Sequence, residues 1–301
     1  MRDEKKIFQL IGETTASIYP LTRDMMRPLF EKHFSEQRFY GPTFLAFQLK
    51  PQPISAKLLD RRNPYNNPDD RHEILSGAAE AGYLVADGDR YRISDRGAKI
   101  ISDIHQTFYD HVNQVNPIPQ EKMSELAGYL HILVDAIIQS DPAGELFCFE
   151  CSRRGHPDVE SGTLAKVDQL LDDLNAFRDD AHIAAWKTTG IAGPTLEVLT
   201  LVRDGEANTP KRLVERLPYR TIREEDYQAE LNELVDKGWI EIGDDGFRAT
   251  AEGKDFRDGI EEATNKNYFA PWSALSDDQL LYLGVLLQDL ISANQALVEE
   301  G

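Results

Sequence analysis

Apolar residues recur at helical spacing along most of the chain, and two short stretches break that rhythm. In "GPTLEVLTLVR" (193–203) Leu196, Leu199 and Val202 share a helical face behind a Gly-Pro opening that suits a first turn. "DGEANTP" ends this helix. In "TPKRLVERL" Thr209 is placed to cap and Pro210 to open a short second helix. "REEDYQAELNELVDKG" predicts a third, with acids in its first turn, Lys237 in its last and Gly238 closing it. Its apolar face is Tyr227, Leu231 and Leu234. "WIEIGDDGFRAT" then changes period: apolar residues flank Asp-Asp-Gly, the pattern of a β-hairpin. Thr250 is placed to cap a further helix, and a long amphipathic helix follows Pro271.

The first half of the chain repeats this order. "GPTFLAF" (41–47) returns as "GPTLEVL" (193–199), and "YRISDRGAKI" (91–100) returns as "FRATAEGKDF" (247–256). Gly82 pairs with Gly238 and Gly97 with Gly253. The offset grows from 152 to 156 residues, which places a small insertion opposite the segment between Leu49 and Ser55. Glycines in register over this length indicate an internal duplication. Helix, helix, helix, two-stranded wing, helix is the winged helix-turn-helix order. The fold class expected is therefore mainly α, with two tandem winged helix-turn-helix units and flanking helices.

"LVDKGWIEIGDDGFRATAEGKDF" combines a helix ending in Gly, a wing, and Thr-x-x-Gly opening the next helix. In this it resembles the MarR-type winged-helix regulators. The resemblance covers each winged-helix core with its flanking helices. It implies transcriptional regulation, and a homodimer whose terminal helices intertwine. With two copies in one chain, it implies an intramolecular pseudo-dimer. The expected division is an N-terminal helix at 1–20, unit 1 at 21–140, a connector at 141–180 and unit 2 at 181–301.

Charge complicates the DNA-binding expectation. The 301 residues include 33 basic and 52 acidic ones, for a formal charge of −19. The third helix of unit 2, the usual groove reader, carries six acids against Arg223 and Lys237. In unit 1 the same element carries Asp69, Asp70, Glu73 and Glu80 against Arg71, and both wing tips are acidic. Such surfaces repel phosphates. The candidate DNA contacts are Lys57, Arg61, Arg62 and Arg71 in unit 1, and Lys211, Arg212, Arg216 and Arg223 in unit 2, with Arg220 nearby. The bland reading is that these cations balance neighbouring acids. DNA is one expected partner. The alternative is an acidic module that binds a protein or small molecule without DNA.

"LDDLNAFRDDAHIAAWKTTGIAGP" offers a candidate ligand site. Arg178, His182 and Trp186 are spaced by four, so a helix puts a cation, an imidazole and an indole on one face, with Asp180 close by. Capping and core-edge packing are the competing assignment. "CFECSRRGHPD" presents Cys148, Cys151 and His156, a zinc half-site or redox pair by spacing, but it lacks a full ligand set. No metal or cofactor is expected. "GELFCFEC" alternates like a short strand. The aromatics of "RFYGPTF" and "NYFAPW" are expected to close hydrophobic seams, with Phe269 and Trp272 as alternative cavity lining.

No phosphate-binding glycine loop, nucleophile elbow or zinc-protease motif occurs. An enzyme is not expected; His182 with Asp180 would be its proton-transfer pair. The charged start has no signal-peptide core and no window reaches about 18 apolar residues, so a cytoplasmic protein without membrane contact is expected. A homo-oligomer remains open.

Overall fold

In the computed structural model, which describes residues 4–300, the chain opens with a long helix, α1 (Glu4–His33). This helix runs through Pro20 and Pro28 and so passes the boundary expected at residue 20. Then come α2 (Tyr40–Leu49), α3 (Ala56–Arg62) and α4 (Asp70–Glu80), the hairpin β1 (Leu84–Asp87) and β2 (Arg90–Ile93), and α5 (Asp95–Val112). Helices α6 (Gln120–Gln139), α7 (Phe147–Gly155) and α8 (Leu164–Lys187) lead into the second half. There α9 (Gly193–Asp204), α10 (Pro210–Arg216), α11 (Glu224–Asp236), β3 (Ile240–Gly243), β4 (Gly246–Ala249), α12 (Ala251–Phe269) and α13 (Asp277–Glu300) follow. Among the described residues the chain is mainly helical, and its two sheets are two-stranded hairpins.

Local chemistry explains why the two halves share an element order. Both hairpins pair antiparallel, with Leu84 opposite Ile93 and Ile240 opposite Ala249. Each wing is tied to the residue just before the N-cap of the second helix in its half. Ile54 bridges Tyr91 in one half, and Phe247 donates to the carbonyl of Asn208 at 2.9 Å in the other. Ser94 caps α5 by accepting from Gly97 N–H at 2.9 Å, and Thr250 caps α12 by accepting from Gly253 N–H at 3.1 Å. Both glycines are sterically required. A Cβ at Gly97 would lie 2.2 Å from the Tyr83 carbonyl oxygen, and one at Gly253 would lie 2.0 Å from that of Trp239. The offset between equivalent positions grows in two steps. The helix N-caps Ser55 and Thr209 are 154 residues apart, while the glycines Gly82 and Gly238 are 156 apart. The second step lies within the third helix, 11 residues long in α4 and 13 in α11.

The main core is built by helices from both ends of the chain. α1 packs along α13, α6 against α8, and α8 against α12. Leu130, Leu133, Leu171, Leu174, Leu286 and Leu290 are fully buried there. Each half keeps its own smaller core, around Leu75, Tyr83 and Ile101 in the first and Leu213, Tyr227 and Leu231 in the second. α8 runs unbroken through the boundary expected at 180.

Two local expectations change. Residues 147–155 form α7, not a strand: the Asp180 carboxylate accepts from the N–H groups of Cys148 and Phe149, both at 2.9 Å, which satisfies the first turn of a helix. α13, over Asp277–Glu299, is long and apolar enough to cross a membrane, contrary to the reading of the sequence windows. One face of it, Leu280, Leu283, Leu286, Leu287 and Leu290, is buried in the main core, which accounts for much of that apolar content, while Leu281 and Val285 are exposed.

The halves also meet directly. A Cβ on Gly193 would lie 2.2 Å from the Pro64 carbonyl oxygen, so only glycine lets α9 start against the α3–α4 loop. Arg220 joins Glu197 at 2.6 Å and reaches across to Asn63 and Asn66 at 3.1 and 3.0 Å. Thr221 donates its hydroxyl to Asp70. The entrances of α4 and α11 therefore adjoin.

Candidate functional site

Helix α8 separates two environments. One face, Asp168, Asp172, Asn175, Ala176 and Asp179, recurs at helical spacing and borders a cavity of about 460 Å³. Across from it stand α1, α2 and α5, with Arg62 from α3 and His156 from the end of α7. Aromatic rings form a continuous wall. Phe30 meets Tyr40 edge-on at 4.9 Å, and Tyr40 stacks on Phe44 at 5.6 Å. Phe44 meets His105 at 4.9 Å, and His105 reaches Tyr109 at 6.4 Å. This is a drug-sized volume with apolar walls and a few convergent polar groups.

Its electrostatics are unusual. Asp168 is 7% exposed and has no hydrogen-bond or ion-pair partner among the described residues. Burial, then the neighbouring Asp172, pushes its carboxyl well above the usual range. Asp172 is pushed up to about 6 by burial, partly offset by Arg62. Arg62 itself is engaged, 3.4 Å from Asp179 and 3.6 Å from Cys148 Sγ. Burial lowers His105, and it takes His156 to about 3, so both imidazoles are neutral at pH 7. Ser152, also in the lining, donates to Asp173 at 2.8 Å.

The ligand candidates read from sequence lie elsewhere on α8. Arg178, His182 and Trp186 do share a face, and it points to α12. Arg178 pairs with Glu261, donates to Asn265 at 2.8 Å and lies over the rings of Phe8 and Tyr268. His182 Nδ1 is 3.1 Å from the Thr264 hydroxyl, and burial takes its pKa to about 4. Trp186 donates to the Tyr65 hydroxyl at 3.1 Å. Asp180 points away to the start of α7, so it shares no hydrogen bond with His182. None of the four borders the large cavity. From the aromatic runs, Tyr40 and Phe44 line it, whereas Trp272 is fully buried in the main core.

The cations divide by half. In the first half, Arg71 is buried and donates to the Asn63 carbonyl at 2.8 Å. Arg61 pairs with Glu145 at 2.7 Å and lies over Phe147, and Arg62 faces the cavity. Lys57 is exposed. In the second half Lys211, Arg212, Arg216 and Arg223 are all exposed. Arg216 pairs with Glu206 at 2.7 Å and Arg223 with Asp226 at 3.0 Å. Arg212 donates to Asn208 at 2.9 Å, and Lys211 is 4.0 Å from Glu215. Cys148 and Cys151 are both buried, and burial raises both thiols, Cys151 to about 11, so neither is a ready thiolate.

Residues 159–299 match a family described as a helix-turn-helix family, a span that runs from just before α8 into α13. No curated protein and no solved structure matches the chain. The second half thus carries a helix-turn-helix domain, and at that coarse level the protein is associated with DNA-binding regulation.

The cavity acids escaped the reading of the sequence, although a signal was present. In "LAKVDQLLDDLNAF" Asp168 and Asp172 fall one turn apart beside the apolar Val167 and Leu171. Carboxylates at core positions on a buried helix mark a lined cavity or a buried pair.

Proposed function

We propose that this protein is a ligand-sensing regulator in which two MarR-like winged helix-turn-helix halves are fused in one chain as a pseudo-dimer, and that the cavity beside α8 is its sensor. The observation that carries the reading is the placement of that cavity. It is walled by α2 and α5 of the first winged half, by α1, which packs along α13, and by α8, which packs on α12. A ligand there touches elements that hold both halves, so it can bias their relative arrangement if it binds one arrangement more tightly. The repeated caps, the repeated wing anchors and the crossing of terminal helices support the duplicated, intertwined plan.

DNA engagement in this reading rests on the second half, where Lys211, Arg212, Arg216 and Arg223 are exposed. A second reading, a winged-helix sensor that does not bind DNA, is favoured by one observation: α11 opens with Glu224, Glu225 and Asp226 beside Asp70 of α4. Fluorescence anisotropy with a random-sequence duplex, starting near about 50 mM salt, separates the two. Binding that falls steeply with salt, and weakens in Lys211→Ala/Arg212→Ala, supports the regulator. No binding at any salt concentration, with specific operators then also failing in a selection from random duplexes, leaves the sensor without DNA.

A further inference from the structure

We infer that the cavity beside α8 takes an apolar organic cation, held by Asp168 and Asp172 against the aromatic wall. The inference rests on the sensor reading and names the chemistry of its ligand. Of the charged and titratable side chains facing the cavity, α8 gives Asp168, Asp172 and Asp179, α3 gives Arg62, α5 gives His105 and Tyr109, and α7 leads to His156. The cavity residues of α1 and α2 include no charged side chain; their titratable members are Tyr19 and Tyr40. Arg62 is occupied by Asp179, and the two imidazoles are neutral. Asp168 and Asp172 therefore lack a cation in contact, and Asp168 is 7% exposed with no protein partner. Two like charges one turn apart oppose each other, and burying them unpaired is costly. A ligand cation reverses both effects.

The rest of the wall narrows the class. Aromatic faces attract cations and offer apolar area. A hard divalent ion seeks six or more oxygen ligands, and among the described residues no group of three or more His, Cys, Asp or Glu side chains is placed to hold one. An anion would face the net negative charge of the lining. A volume of about 460 Å³ suits a molecule with rings or chains attached to its charge.

Isothermal titration of the full chain with tetraphenylphosphonium and the slimmer benzyltrimethylammonium tests this. Tetraphenylborate, alike in shape and opposite in charge, and neutral triphenylphosphine oxide are the comparisons. Saturable binding of at least one cation, with borate and oxide weak, is expected. Asp168→Asn, with an unchanged circular dichroism spectrum, is expected to weaken the cation about thirtyfold or more and to leave the oxide unaffected. Failure of both cations to bind overturns the assignment, as does equal binding of borate. If borate or oxide binds where the cations fail, the sensor cavity stands and only its charge preference is wrong. If no probe binds, the sensor reading falls as well.

Discussion

Asp168 and Asp172 show how a single helix face can work against its own fold. Burial raises both carboxyls, so each binds its proton more tightly in the folded chain than in the unfolded one. The stability they allow is fully present below the unfolded value near 3.8 and is lost as pH rises through their folded values, about 6 for Asp172. Asp168→Asn removes one of these titrations. Its melting temperature is expected to exceed that of the parent at pH 8, by on the order of 1 kcal/mol of stability, and to approach it at pH 5. A melt series by calorimetry reads this, and a variant less stable at pH 8 would mean that the carboxylate supports the fold. Asp180 is the opposite case, because its oxygens cap α7. Asp180→Ala is expected to cost roughly 1–2 kcal/mol and to speed hydrogen exchange at the start of α7. Chemical denaturation and exchange mass spectrometry measure the two effects. Asp180 was recognisable in the sequence as a chemically notable residue. Its partner was not, because the amides it caps lie 31 and 32 positions away.

Among the elements, the caps and hairpins were the most legible. Thr209, Thr250, Gly238 and the Asp-Asp-Gly turn act over a few residues, and the structure places them as expected. α7 was misread because "LFCFEC" carries alternation without its context; burial of Phe147, Cys148, Cys151 and Ser152 fits a helix once Asp180 satisfies its N-terminus. The Gly97 and Gly253 positions join cap to wing. Gly253→Ala is expected to cost roughly 2–3 kcal/mol, because the new methyl meets the Trp239 backbone and not a yielding side chain. Gly259→Ala in the same helix meets nothing within 4 Å and is expected to stabilise by about 0.5–1 kcal/mol. Urea midpoints of the two variants provide the comparison, and equal effects would contradict the close approach.

At the scale of the whole molecule, the halves are joined twice, through the shared helical bundle and through the Arg220 contact. Arg220 and Glu197 are both largely buried, so removing the guanidinium leaves a carboxylate unpaired. Arg220→Ala is expected to cost roughly 3 kcal/mol while unfolding stays a single transition, because α1–α13 and α8–α12 still tie the halves together. Two separate transitions in calorimetry would instead describe independent halves. This contact also bears on function. Asn63, Asn66 and Arg71, in or beside α3 and α4, are used to hold the second half or to brace the loop that does. Basic residues counted along the chain therefore overstate what phosphate could reach.

The sequence by itself determined the element order, its recurrence across the two halves and the caps that bound the helices. Each of these follows from neighbours within a turn or two, where periodicity and backbone chemistry act. It also determined the acidity of α4 and α11, which no folding can remove. Only the tertiary structure decided that α1 lies along α13, that Arg178 and His182 bind α8 to α12 while Trp186 reaches Tyr65, and that Asp168 and Asp172 face a cavity. A helix pattern marks which face is apolar but not which partner covers it. In α8 two adjacent faces are occupied, one by packing and one by open volume, and the difference lies largely in distant elements, α12 on one side and α1, α2 and α5 on the other.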